Sequence, residues 1–112
     1  MNLLEIKDYS TEALKHYTQA MQFTEDLADM EADEYFKERS LIDIMYFVAM
    51  NHHIINDVNA EQLGHNLWLT RNNHGTGFWC RDFEFKETLT KESEKMHQVN
   101  VYLTADDKIS ID

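Results

Sequence analysis

The chain has 112 residues, 43% of them hydrophobic and 12% aromatic, which is the size of one domain and too apolar for a disordered segment. It carries 21 acids against 10 bases, a formal net charge of -11, and a field of that sign disfavours direct binding to nucleic acid or an anionic membrane surface. A single cysteine, Cys80, excludes an intramolecular disulfide and a Cys-rich zinc site and fits a reducing compartment.

There is no proline and there are only three glycines, so regular elements should dominate over long loops. The first residues, Met1 to Asp8, hold acids where a signal peptide needs a basic stretch. The longest apolar run, Ile44 to Met50, is too short to span a bilayer. The expectation is a cytoplasmic protein with no membrane partner.

In chain order, Ser10 is a candidate N-cap, with Glu12 in the first turn. Ala13, Leu14, Tyr17, Ala20, Met21 and Thr24 then recur at helical spacing and predict a first helix over Thr11–Asp26. An acidic connection follows, and Asp33 is placed to cap a second helix from Glu34 to about Ile55. The middle of that helix, Leu41 to Met50, is apolar nearly all round; a spare apolar face on so small a domain predicts a homodimer through Leu41, Met45, Val48 and neighbouring residues of the helix. Asn59 and Gln62 have capping-box spacing, and Gly64 is read as ending a single helical turn.

The segment from Leu67 to Arg81 holds both tryptophans and two of the three glycines. Its flanks read as strands, Asn66–Arg71 and Phe78–Phe83, joined through Asn72–Gly77 as a β-hairpin with Gly75 or Gly77 at positive φ. Phe85, Leu89 and Met96 mark a third helix over Lys86–His97. Val99, Val101 and Leu103 alternate with polar residues as a half-buried strand, Asp106-Asp107 is a turn, and Ile109 and Ile111 form a last short strand. The order α-α-β-β-α-β-β makes an α+β fold of one domain, 1–112, with a helical part (1–58) and a hairpin-helix-strand part (59–112) whose small antiparallel sheet packs on helices.

The run from Asn59 through Ala60-Glu61-Gln62-Leu63-Gly64-His65-Asn66-Leu67-Trp68-Leu69-Thr70-Arg71-Asn72-Asn73-His74-Gly75-Thr76-Gly77-Phe78-Trp79 resembles a family of small phage and prophage proteins whose core pattern is AEQAGHDFWLTRNGHGAGFWDR. Leu89-Thr90, Val101-Tyr102-Leu103 and Asp106-Asp107 look like that family's later helix and acidic-aromatic strand. The likeness covers about half the chain, from Asn59 onward. It departs at Asn66 and Cys80, which stand in place of acids, and at Asn73, which stands in place of a glycine. The resemblance implies a phage accessory protein acting inside a bacterial host and carries no particular chemistry.

Candidate sites each have a structural competitor. Arg71, Asn72 and His74 form a polar group in which Arg71 binds an anion and His74 exchanges a proton; Asp82 completes a small ligand-binding or hydrolytic site. The competitor is simple turn chemistry. Trp68, Phe78 and Trp79 are either an aromatic platform for a partner or hairpin packing. Glu25, Asp26, Asp29, Glu31, Asp33 and Glu34 belong to an acidic run up to Glu38 that only Lys37 interrupts. That run is either a solvated helix end or a surface imitating a phosphate backbone. Residues 1–60 hold 12 acids and 4 bases, net -8; residues 61–112 hold 9 acids and 6 bases, net -3. No histidine pair has zinc-ligand spacing and there is no phosphate loop, so no catalytic group, metal or cofactor is expected. The expected function is that of a small acidic phage protein that binds and modulates or inhibits a host or phage protein with a basic surface, DNA mimicry being one route. The alternatives are the Arg71/His74/Asp82 ligand site and a purely structural dimer module.

Overall fold

The structure, a computed structural model, describes all 112 residues, Met1–Asp112. It is mostly helical with one small antiparallel sheet, an α+β fold. Helix α1 spans Leu3–Thr24, α2 Glu34–Asn51, α3 Ala60–Arg71 and α4 Lys86–Glu94; strands β1 (Val101–Leu103) and β2 (Ile109–Ile111) pair with Val101 opposite Ile111. No helix is long and apolar enough to cross a membrane.

Helix α1 begins eight residues earlier than its sequence signal. Asn2, not Ser10, is the N-cap: its side chain accepts from the Glu5 amide at 2.8 Å, and Glu5 returns the bond to the Asn2 amide at 3.0 Å. Ser10 is buried within the helix, and its Oγ has no hydrogen-bond partner. Asp33 does cap α2, accepting from the Phe36 amide at 2.7 Å. Helix α2 then tightens at Asn51 into a 3₁₀ turn, His52–Ile54.

The expected β-hairpin does not exist. Asn59 caps α3 as anticipated, accepting from the Gln62 amide, but the helix runs through Gly64 and absorbs the predicted strand Asn66–Arg71. Gly64 is present for contact, not termination: a Cβ there would lie 1.9 Å from the Ala13 carbonyl oxygen of α1. The two helices pack extensively along this line of approach, with Ala13 and Ala20 buried on the α1 side. Nearly every side of α3 is covered, Leu63, Asn66, Leu67, Trp68, Leu69 and Thr70 all being buried. A helix covered all round loses the 3.6-residue polar alternation that distinguishes it from a buried strand.

Asn72-Asn73-His74 is therefore a helix stop. Asn73 has φ 56°, its amide donates to the Thr70 carbonyl and the His74 amide donates to the Leu69 carbonyl. Those two bonds define a Schellman motif, with asparagine tolerating the left-handed position. Gly75, at φ 77°, lies in the loop beyond it. Gly77 is pressed against Thr70, whose Oγ1 accepts from the Phe78 amide and would lie 2.2 Å from an added Cβ. Phe78–Cys80 form a 3₁₀ turn instead of a second strand. The third predicted helix is present but stops at Glu94, short of His97.

The final two strands form as expected, turning at Asp107 with φ 61°. Strand β2 is buried throughout and packs on α2. It also stitches down the acidic connection: the Asp33 amide donates to the Ile109 carbonyl and the Ile109 amide to the Glu31 carbonyl, each at 2.8 Å.

Candidate functional site

The sequence-predicted polar group at Arg71 and His74 is split between two cavities. Arg71 is buried at the junction of four elements. Its Nη1 donates to Asp43 Oδ2 at 2.9 Å on α2 and to Tyr17 Oη at 3.3 Å on α1. Its Nε donates to the His97 carbonyl at 3.0 Å, and Nη2 donates to the Met96 carbonyl just beyond α4. The guanidinium is thus occupied by a carboxylate and by carbonyls past a helix C-terminus, where a cation is favoured. The expected anion site at Arg71 is replaced by this internal clamp. Burial pushes the Tyr17 phenol up to about 12, against the opposing pull of the Arg71 charge.

Asn72 is likewise structural: its Nδ2 donates to the Trp68 carbonyl, and its Oδ1 accepts from the Val99 amide at 2.8 Å. Trp68 and Phe78 are core residues and not an exposed platform. Trp68 meets Tyr17 edge to face at 5.3 Å and donates Nε1–H to Thr24 Oγ1; Phe78 stacks on Phe47 at 6.0 Å. Only Trp79 of the three is exposed, at 41%. Asp82 is exposed and lines neither of the two larger cavities.

The acidic connection has a defined shape. Glu25, Asp26, Asp29, Glu31 and Glu34 are exposed, and Asp33 is half-buried because its carboxylate caps α2. The Gln22 amide holds the Met30 carbonyl at 2.7 Å, and Lys108 Nζ reaches Glu31 Oε2 at 2.9 Å. The Lys108 contact holds the Glu31 carboxyl below its ordinary pKa. Together with the two backbone bonds to Ile109, these contacts pin a strongly negative surface in place.

An apolar surface adjoins it on α2. Tyr35, Ile42, Tyr46 and Met50 are exposed at 48%, 62%, 62% and 58%. Their spacing, with Arg39 between, places them on one helix face over about 22 Å. Of the residues expected at a self-association seam, Val48 is fully buried and Leu41 and Met45 are half-buried; the exposed apolar side chains of α2 are their neighbours one residue around the helix. Beside the stripe is a cavity of about 490 Å³, between α2 and the chain from Met96 to Asn100, into which Arg39, Tyr46, Met50, Met96 and Asp112 also face.

A second cavity, of about 400 Å³, opens between α1, α3 and the segment after α3, and it holds His65, His74, Thr76 and Arg81. No group of three or more metal-ligating side chains converges anywhere in the chain. Arg81 and the α2 stripe carry no binding signal in the sequence; the exposed stripe is hidden there because α2 is apolar on nearly every side. Comparison with family models, with curated proteins and with solved structures finds no match.

Proposed function

We propose that this chain is a protein-binding module that docks a partner on the outer face of α2, in keeping with the phage accessory role that the resemblance of its second half implies. The observation that carries the reading is the continuity of an exposed Tyr-Ile-Tyr-Met stripe with a fixed acidic surface at its N-terminal end. Aromatic side chains, methionine and arginine are the types that protein interfaces concentrate, and a neighbouring pocket is where a partner's anchor residue gains most. The acidic end selects a partner with a basic rim and speeds its approach. A second copy of the chain is disfavoured as the occupant, since each copy brings a charge of -11.

The test is capture from the lysate of a bacterial host, comparing the wild-type chain with the double variant Ile42→Glu/Tyr46→Glu. Both positions are solvent-exposed, so the variant keeps its fold. The reading predicts a captured protein with a basic surface that the double variant fails to retain. Equal retention by both, or sedimentation of the wild type alone as a dimer that the double variant abolishes, contradicts it.

A further inference from the structure

The second cavity has an electrostatic character opposite to the rest of the molecule. In a chain with 21 acids, no carboxylate lines it, while an arginine and two histidines do. Arg81 is in no ion pair. Its Nε donates to Asn66 Oδ1 at 2.8 Å, and Asn66 is itself fully buried and held by the Gln62 carbonyl and side chain. One of the five guanidinium N–H groups is thereby spent on a rigid anchor, and the other four have no partner within the protein. Asn66 is neutral, so the anchor orients the charge without cancelling it.

The remaining donors come from separate stretches of chain. His74 is stacked on Trp68, centroids 6.3 Å apart and planes 25° apart, and Trp68 is in turn fixed by Thr24. His65 reaches in from α3, and Thr76 from the loop. The apolar part of the lining is Ala20, Leu69 and Phe23, the last of them 83% exposed. An aromatic ring so exposed has no packing role in the isolated chain.

We propose that this cleft binds a small phosphate monoester carrying a flat apolar body. A cavity of this size is within the range of about 300–1,000 Å³ typical of small-ligand sites. The arginine fork, two imidazoles and a hydroxyl outnumber the two oxygens of a carboxylate and suit the three of a phosphate. Phosphate monoesters also take their second charge at a pH of about 6, the range in which imidazoles gain theirs. The apolar body lies between Leu69 and Phe23. This site shares no residue with the α2 docking face and stands or falls separately from it.

Burial, and after it the Arg81 charge, hold the His65 pKa below its ordinary value. Glu61 on the same helix opposes them, and His16 of α1, itself paired with Glu12, adds to them weakly. A bound anion offsets the Arg81 field and draws a proton onto His65. Affinity therefore rises as the pH is lowered from about 8 to about 6.5.

The experiment is an NMR titration with phenyl phosphate at constant ionic strength, with benzoate and phenol as controls. The variants are Arg81→Gln, His65→Gln and Phe23→Ala. The proposal predicts saturable binding that shifts the His65 and His74 ring signals, roughly tenfold tighter for phenyl phosphate than for benzoate. Arg81→Gln abolishes it, while His65→Gln and Phe23→Ala weaken it. If Arg81→Gln does not fold, the other two variants decide, since neither disturbs the Asn66 anchor. Equal binding of benzoate, shifts elsewhere on the protein, or unchanged affinity in both His65→Gln and Phe23→Ala overturns it.

Discussion

Replacing Arg71 with methionine distinguishes an internal clamp from a ligand site. The substitution keeps most of the aliphatic length but strips Asp43, Tyr17 and the Met96 and His97 carbonyls of their common donor. Removing one partner of a buried ion pair costs about 3–5 kcal/mol, because the other charge is left unpaired. The Arg71 side chain is only 5% exposed, but that of Asp43 is 26% exposed, so water recovers part of the loss. The net expectation is about 2–4 kcal/mol, a large share of the roughly 5–15 kcal/mol that holds a domain together. At about 4 °C per kcal/mol for a chain of this size, the Tm falls by about 8–16 °C. Urea unfolding followed by circular dichroism at neutral pH measures the free energy directly. Arg71→Lys should lose an intermediate amount, since an ammonium keeps the charge without the planar fork. A loss below about 1 kcal/mol for Arg71→Met would refute the clamp and return Arg71 to the list of ligand-binding groups.

Ser10→Ala should be neutral or stabilising by up to about 1 kcal/mol, because it removes a buried hydroxyl without a partner; a helix-capping serine would instead lose about that amount in the same melt. Gly64→Ala should cost about 1–3 kcal/mol in urea unfolding by forcing α1 away from α3, whereas Gly75→Ala, where a Cβ meets open space, should cost only about 1 kcal/mol of left-handed strain. The folded state holds the Tyr17 proton more tightly than the unfolded chain, whose tyrosine titrates near 10.0. The contribution of Tyr17 is therefore complete below that pH and is lost as the pH rises through about 12; Tyr17→Phe should flatten that part of an alkaline unfolding curve.

Much of the helical framework was legible in the residues. Asp33 and Asn59 cap the helices they were expected to cap, because a short polar side chain ahead of an apolar run has few other uses. The last two strands form where β-branched residues alternate. The tryptophan segment reads as a hairpin for a physical reason. Both Gly64 and the Asn72–Gly77 loop carry genuine stop chemistry, but Gly64 accommodates the Ala13 carbonyl, a neighbour invisible from local sequence. Once α3 is continuous, the Asn-Asn-His triplet terminates a helix instead of turning a hairpin. The same limitation hid the candidate sites. Arg71 and His74 lie three residues apart yet line different cavities, and Arg81 becomes interesting only because α3 presents Asn66 to hold it. On α2 the apolar residues surround the helix, so periodicity could not give the phase that leaves Ile42, Tyr46 and Met50 outside.

The central claim, that the outer face of α2 receives a protein, is tested most directly by hydroxyl-radical footprinting of the chain alone and with its captured partner. Tyr35, Tyr46 and Met50 are exposed and oxidise readily, while Trp79 is an exposed control that lines neither of the two larger cavities. The account predicts that the partner protects Tyr35, Tyr46 and Met50 and leaves Trp79 reactive, with the protection weakening as salt screens the acidic end. Protection of Trp79 with undiminished oxidation of Tyr46 and Met50 would contradict it.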